Sequence, residues 1–374
     1  MKIAFIGTAY PFRGGLAMFN ERICQEFQAQ GHTVDVFTFT TQYPEILFPG
    51  KSQYSDDAAP ASLTIQRTIS SINPITWAAT ANKIIQGNYD LVVLKYWHPF
   101  MAMCFSQILK KIKKNSTTKV ITIVDNIIPH ENKIGYNWLT QKFVHTIDGF
   151  IVMSQSVAKD IQQFSTTKPI QYNPHPIYDT YGDALPKDTA KDYLKWDKNQ
   201  KTALFFGFIR AYKGLDILIK AIPYIKTPNI KIVVAGEFYE DKTYYDTLIK
   251  ELADSSTIEL HADFISNEEV KYYFSAADVV VQPYKTATQS GISQIAYHFE
   301  KPMIVTNVGG LPEIVPHNKA GLVVEPNPVA IANAIDDFYT NNKENAFIEG
   351  VKQEKKRYQW DNFVQQLLQL YHTL

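Results

Sequence analysis

Short apolar runs that end in glycine, proline or a small polar loop recur along this chain, and each is followed by a stretch with helical spacing. That alternation constrains the fold more than any other feature. A strand buried on both faces reads as a continuous apolar run, and interleaved helices supply the crossovers of a parallel sheet. The clearest instance lies between residues 277 and 313. Ala277-Asp278-Val279-Val280-Val281-Gln282 is a strand-type run ended by Pro283. The loop Thr286-Ala287-Thr288-Gln289-Ser290-Gly291 follows, then a helical stretch from Ile292 to Phe299 that stops before Pro302. Met303-Ile304-Val305-Thr306 is the next strand, and Asn307-Val308-Gly309-Gly310 leads to Glu313. A small-residue loop at a strand's carboxyl end, feeding a helix N-terminus, is where α/β proteins hold phosphates and sugars.

The remainder repeats the pattern. Lys2–Gly7 is a strand that opens into Tyr10-Pro11-Phe12-Arg13-Gly14-Gly15, and Phe19, Ile23, Cys24 and Phe27 mark one helical face before Gly31. Thr33–Thr38 closes a βαβ unit. Its adjacent glycines do not have the dinucleotide-binding GxGxxG spacing. They still allow close backbone approach to an anion, or form a plain strand-to-helix turn. Residues 43–62 read as a long loop, 74–87 as a helix, Tyr89–Leu94 as a strand, 101–114 as a helix with a lysine-rich end, and Lys119–Asp125 and Gly149–Met153 as strands. Ser154 is placed to cap the helix after it. Residues 172–200 carry proline and charge and read as a connector. Strands at 202–206, 230–235, 257–260 and 321–324 then alternate with helices at 241–253, 267–275, 328–340 and 343–357. In the last stretch Trp360, Phe363, Leu367 and Leu370 form one stripe.

A chain of 374 residues with 45% hydrophobic and 13% aromatic residues can fill two cores. The expected fold is α/β: two Rossmann-like domains facing across a cleft, residues 1–175 with 358–374 returning to them, and residues 176–357. Two cysteines fit a reducing compartment rather than a disulfide framework. No apolar run is long enough to span a bilayer, and Met1-Lys2 leads directly into a strand, so a cytoplasmic location is expected. Formal charge is zero, yet residues 1–180 carry 16 Lys+Arg against 12 Asp+Glu, an excess the rest of the chain cancels. That balance, without an aromatic–basic platform, argues against nucleic acid.

Gly14-Gly15, Gly31-His32-Thr33-Val34, Gly207 with Lys213-Gly214, and the 283–313 stretch with Pro302 and Gly309-Gly310-Leu311-Pro312-Glu313 together resemble the family 4 type of retaining glycosyltransferases, also called glycosyl transferases group 1, which have the GT-B fold. The resemblance covers nearly the whole chain. It implies a nucleotide-sugar donor, UDP- or GDP-linked, held mainly by the second domain. It also implies a glycan or lipid-linked glycan acceptor held mainly by the first, and a hydroxyl as the receiving group. Surface polysaccharide synthesis is the expected setting. Residues expected at the donor are Arg13, Gly14, Gly15, Gly207, Gly236, Glu237, Thr288, Gln289, Ser290, Gly291, Ile292 and Gln294.

Arg210 and Lys213, just past a strand end, can stabilise a diphosphate leaving group without a metal, and no cofactor is expected. In many relatives an arginine directly follows the glycine; here Phe208 does, which puts more weight on Lys213. His98 and His130 both follow strand carboxyl ends. The resemblance makes His130 the residue expected to touch donor sugar or acceptor, and Asp125, near the family's usual histidine position, the next to polarise the acceptor hydroxyl. His98 and Asn126 are acceptor-side candidates. The leaving phosphate is expected to take the acceptor proton.

One departure is large. The family's two glutamates, eight residues apart, fall here on Thr288 and Ala296, or on Ala287 and Ile295. Thr288, Gln289, Ser290 and Gln294 could supply neutral hydrogen bonds instead, and Glu300 beside Pro302 reads as a surface charge. A changed donor, altered hydrogen bonding to the same donor, or lost catalysis all remain open. The rival readings are a glycosyltransferase-like protein that binds a nucleotide-sugar or a partner without turnover, and a GT-B nucleotide-sugar epimerase. Lys110, Lys111, Lys113 and Lys114 either complement a helix dipole or meet anionic lipid at the inner membrane face.

Overall fold

The computed structural model describes residues 1–44, 53–55, 58–128, 135–165, 167–287 and 289–374. Among them the chain divides into two compact units, Met1–Pro174 with Trp360–Leu374, and His175–Gln359.

The first unit runs β1 (Lys2–Ile6), α1 (Gly15–Ala29), β2 (Thr33–Thr41), β3 (Thr64–Ser70), α2 (Pro74–Gln86), β4 (Leu91–Tyr96), α3 (Ala102–Asn115), β5 (Lys119–Val124), α4 (Tyr136–Val144), β6 (Gly149–Val152), α5 (Gln155–Gln162) and β7 (Ile170–Tyr172). Its strands form one seven-stranded sheet in the order β3-β2-β1-β4-β5-β6-β7. Every pairing in it is parallel. The order reverses direction between β1 and β4, and in open parallel sheets that switch point, at the carboxyl ends of the strands, is where ligands bind. Ser154 caps α5 as its position suggested, its hydroxyl accepting from the Val157 N–H.

The second unit runs α6 (Lys187–Leu194), β8 (Lys201–Phe206), α7 (Leu215–Ala221), β9 (Ile230–Ala235), α8 (Lys242–Lys250), β10 (Ile258–His261), α9 (Val270–Ala276), β11 (Val279–Gln282), α10 (Gly291–His298), β12 (Met303–Thr306), α11 (Leu311–Ile314), β13 (Gly321–Val324), α12 (Pro328–Thr340) and α13 (Glu344–Lys355). Its sheet is six-stranded, β10-β9-β8-β11-β12-β13, and again parallel throughout. Its switch point lies between β8 and β11.

The chain then returns to the first unit as α14 (Trp360–His372). Trp360, Phe363, Leu367 and Leu370 are all buried. Phe19 of α1 meets the Trp360 ring at 5.2 Å and the Phe363 ring at 5.8 Å. Asn173 donates to the Phe363 carbonyl at 2.9 Å, which ties β7's exit to this helix.

The segment 172–200 is not a simple connector. Its second half is folded into the second unit: α6 packs on α9, and the buried Lys191 ammonium donates to the carbonyls of Asp197, Lys198 and Gln200. Three further elements, β3, β7 and α4, have no clear sequence signal. β3 and β7 are the edge strands of the first sheet, where polar residues are tolerated. Among the described residues no helix is long and apolar enough to cross a membrane.

Trp360→Ala removes the largest side chain joining α14 to α1. It should destabilise the first unit by about 3–5 kcal/mol, seen as a lower urea midpoint.

Candidate functional site

The second unit's switch point gathers three stretches of chain. Gly207 follows β8 with φ +96°, a region that favours glycine. A Cβ there would lie 3.0 Å from both the Ile292 side chain and Lys213 Nζ. The strand end, the basic turn and the N-terminus of α10 therefore meet at this point. The turn Ala211–Lys213 is a single 3-10 turn. Backbone bonds hold it: the Lys213 N–H to the Arg210 carbonyl at 2.9 Å, and the Lys285 N–H to the Tyr212 carbonyl at 2.7 Å. The Ala211 N–H also donates to the Glu240 carboxylate at 2.6 Å. Gly214 ends the turn at φ +68°, where a Cβ would be 2.0 Å from the Pro283 carbonyl oxygen. Only glycine lets the turn press on the loop that leaves β11.

Lys213 is buried. Among the described residues its ammonium has no hydrogen-bond or ion-pair partner; its contacts are the Tyr284 ring, 5.9 Å to the centroid, and the repulsion of Arg210. Burial, reinforced by Arg210, lowers its pKa to about 8. The nearby carboxylate of Asp216 is taken by Lys285 at 2.9 Å. Arg210 is exposed, with its guanidinium 5.0 Å from the Tyr239 ring centroid. Phe208 stacks beside the same ring at 4.4 Å and faces Phe264 at 6.2 Å.

The loop after β11 is built on neutral hydrogen bonds. Ser290 caps α10, its Oγ accepting from the Ser293 N–H at 3.2 Å and donating to Gln282 Oε1 at 2.6 Å. Ser293 Oγ donates to the same oxygen at 3.0 Å. The hydroxyl of Ser290 thus shapes the loop. Gln294 is wholly buried, and neither its amide nitrogen nor its oxygen has a partner among the described residues; the same holds for Gln282 Nε2. Gly291 begins α10 against the ring of Tyr178, and Ile292 is half-buried beside Gly207. Gln289 is half-buried. Gly236 and the buried Glu237 follow β9. Thr288 lies outside the described residues.

Ala296 and Ile295 are buried in the body of α10, and Ala287 accepts the Gly310 N–H at 3.1 Å, so none of these positions presents a polar side chain. Glu300 stands at the helix end with φ +56° and pairs with Lys355 at 3.4 Å.

In the first unit Gly14 caps α1 with φ +98°, Gly15 begins that helix, and the Arg13 N–H donates to the Gln53 carbonyl at 3.0 Å. His98 follows β4; its Nδ1 accepts from the Phe100 N–H at 3.1 Å and its ring meets Tyr136 at 5.6 Å. Asp125 follows β5 and pairs with Lys95 at 2.7 Å, a partner that sequence reading missed. Asn126 is half-buried, and its Oδ1 has no partner among the described residues. His130 lies outside the described residues. Of the four lysines on α3, Lys113 is committed to Asp148 and Lys111 to the Ala78 carbonyl, leaving Lys110 and Lys114 exposed.

The two halves of the chain match two family models. Residues 13–179 match Glycosyltransferase Family 4, and residues 186–354 match Glycosyl transferases group 1. An uncharacterized glycosyltransferase of Methanocaldococcus jannaschii is 24% identical, over 99% of this chain and 98% of that protein. The O-antigen chain mannosyltransferase C of Escherichia coli is 22% identical, over 98% of this chain and 96% of its own length. Among solved structures, Anabaena HepE in complex with UDP-glucose superimposes with a TM-score of 0.75 over 100% of both chains, at 15% identity.

A lysine whose pKa falls on folding costs stability while it is charged. The unfolded chain holds the Lys213 proton up to its ordinary value of 10.5, the folded chain only to about 8. Stability therefore rises as pH climbs through that window, and at neutral pH the penalty is fully present. Lys213→Met should accordingly raise the melting temperature of the ligand-free protein at pH 7, by the equivalent of ~1–2 kcal/mol. A calorimetric scan reads the sign.

Proposed function

We propose, for a chain that belongs to the glycosyl transferases group 1 and has their GT-B fold, that it moves a sugar from a UDP- or GDP-sugar to a hydroxyl of a glycan or glycolipid, with retention at the anomeric carbon and without a metal. Synthesis of a surface polysaccharide is the setting. The observation that carries the reading is Lys213: a buried ammonium, fixed by a backbone turn at the switch point, with no counter-charge among the described residues. Such a group is matched to an anion that arrives with the substrate. Breaking a sugar–phosphate bond leaves negative charge on the diphosphate, and fixed cations stabilise that charge without reorganising at the moment of reaction. Arg210 adds a second cation with a two-pronged fork. These two charges do what a metal would otherwise do, and the leaving phosphate is basic enough to take the acceptor proton.

Similar proteins support the substrate class. HepE was solved with UDP-glucose, and an Escherichia coli relative acts on an O-antigen chain. A second reading has one observation in its favour: the positions where the family carries glutamates are here apolar and buried at Ala296 and Ile295. That is compatible with binding a nucleotide-sugar without turnover. A thermal-shift screen of UDP, GDP, ADP and their sugars, followed by assay of donor hydrolysis and transfer, separates the two. Binding with turnover supports the enzyme; binding alone supports the second reading.

Two results are expected from Lys213. Lys213→Ala should lower turnover on the order of 100-fold or more, the scale seen when one preorganised charge is removed; unchanged activity would overturn the phosphate-site assignment. Binding of a diphosphate should also pull the Lys213 pKa up from about 8. Proton uptake then accompanies binding, so nucleotide affinity should weaken as pH rises above about 8, by up to ~10-fold per unit. Isothermal titration between pH 7 and 9.5 measures this, and Lys213→Ala should flatten the slope.

A further inference from the structure

The switch point of the first sheet holds a buried charge pair that packing alone does not call for. β4 reads Leu91-Val92-Val93-Leu94 and then Lys95, which is 1% exposed in the middle of a parallel sheet. Its Nζ lies 2.7 Å from Asp125 Oδ1 and 3.7 Å from the centroid of the Phe19 ring. Asp125 sits just past the end of β5, its N–H bonded to the Tyr96 carbonyl at 2.9 Å. Gly7, just past β1, makes room for the arrangement: a Cβ there would come 2.7 Å from Asn20 Nδ2 and 3.3 Å from Lys95 Cβ. Asn20 is fully buried, donates to the Thr8 carbonyl at 2.8 Å, and has an Oδ1 with no partner among the described residues.

A buried ion pair is a poor stabilising device. Apolar residues of the same volume usually do as well or better, because neither charge then has to leave water. A lysine inside an otherwise apolar central strand therefore points to a use for the charge. What the pair supplies is a carboxylate with fixed direction at the carboxyl end of the sheet, beside the buried oxygen of Asn126, which also has no partner among the described residues.

We propose that Lys95 is a positioning residue: by pairing with Asp125 it holds that carboxylate oriented at the switch point, where it accepts a hydrogen bond from the acceptor hydroxyl. This rests on the transferase reading. Lys95 itself touches no substrate. It acts through Asp125, and the two residues can be removed together without cost to the fold but not without cost to the reaction.

The test compares Lys95→Met, Asp125→Asn and the double variant, reading kcat, acceptor KM and melting temperature against the wild type. Each single variant should lower kcat on the order of 100-fold, the scale of a misplaced reacting group. Lys95→Met should also melt earlier, because it takes the lysine away from a buried carboxylate. The double variant should recover the wild-type melting temperature while its kcat stays low. That split between stability and turnover is what a structural pair would not show. If Lys95→Met does not fold, the double variant decides alone. Recovery of kcat together with melting temperature would overturn the inference while leaving the transferase reading intact. A wild type that neither transfers nor hydrolyses any donor would overturn both.

Discussion

A lysine ammonium held out of water without a counter-charge sets the terms for the second unit. Burial disfavours the charged form of Lys213, and nothing among the described residues offsets that cost. The side chain nevertheless stays inside because its turn has no freedom to move. Backbone bonds fix Ala211–Lys213, and Gly214 is pressed against the Pro283 carbonyl. The ends of β8 and β11 define where that turn sits, and the parallel register of the sheet defines those ends. The stability spent on the charge thus comes from two apolar layers far from it. What is gained is preorganisation: an exposed lysine would have to lose rotamer freedom and its water shell on meeting an anion, and this one has already lost both.

The two units reach opposite electrostatic solutions. In each, a lysine lies at the switch point of an open parallel sheet. In the first it is matched by Asp125, so the pair offers direction rather than attraction. In the second the lysine has no carboxylate partner among the described residues, and Arg210 repels it. A diphosphate suits the second arrangement and would be repelled by the carboxylate of the first. A neutral hydroxyl suits the first. These charges favour the proposed placing of the donor on the second unit and the acceptor on the first.

The architecture was legible because central strands of parallel sheets are apolar on both faces. β1, β4, β5, β8, β9, β11 and β12 all stand out as short runs closed by glycine, proline or a polar turn. The edge strands β3 and β7 do not, since a strand with one free side tolerates the mixed pattern of Thr64–Ser70. Lys213 was legible through its spacing from Gly207. Lys95 was not: its partner is thirty residues away in sequence. They meet only because the β4–β5 register sets Lys95 opposite Ile123, so that Asp125 at the strand's end falls within reach. The connector reading of 172–200 failed for a related reason. Proline and charge mark a loop, yet Lys191 turns inward to bond three carbonyls, and sequence does not reveal which lysine does so.

The absent glutamates have a physical counterpart in the way the donor loop is built. Ser290, Ser293 and Gln282 form a closed set of neutral hydrogen bonds that caps α10. Ala296 and Ile295 lie inside the helix packing, where a carboxylate would be an unpaired buried charge costing several kcal/mol. A glutamate in either place would therefore need a rearranged neighbourhood. The loop and the cation converge on one glycine: a Cβ at Gly207 would lie 3.0 Å from both the Ile292 side chain and Lys213 Nζ. A carboxylate added there would partly cancel the Lys213 charge and raise its pKa. A neutral loop leaves that charge to be met by the ligand alone. The unpartnered amide of Gln294 offers the same helix both a donor and an acceptor without changing the charge. The loop that departs most from its family is in this sense consistent with the rest of its site, because it leaves the Lys213 charge uncompensated among the described residues.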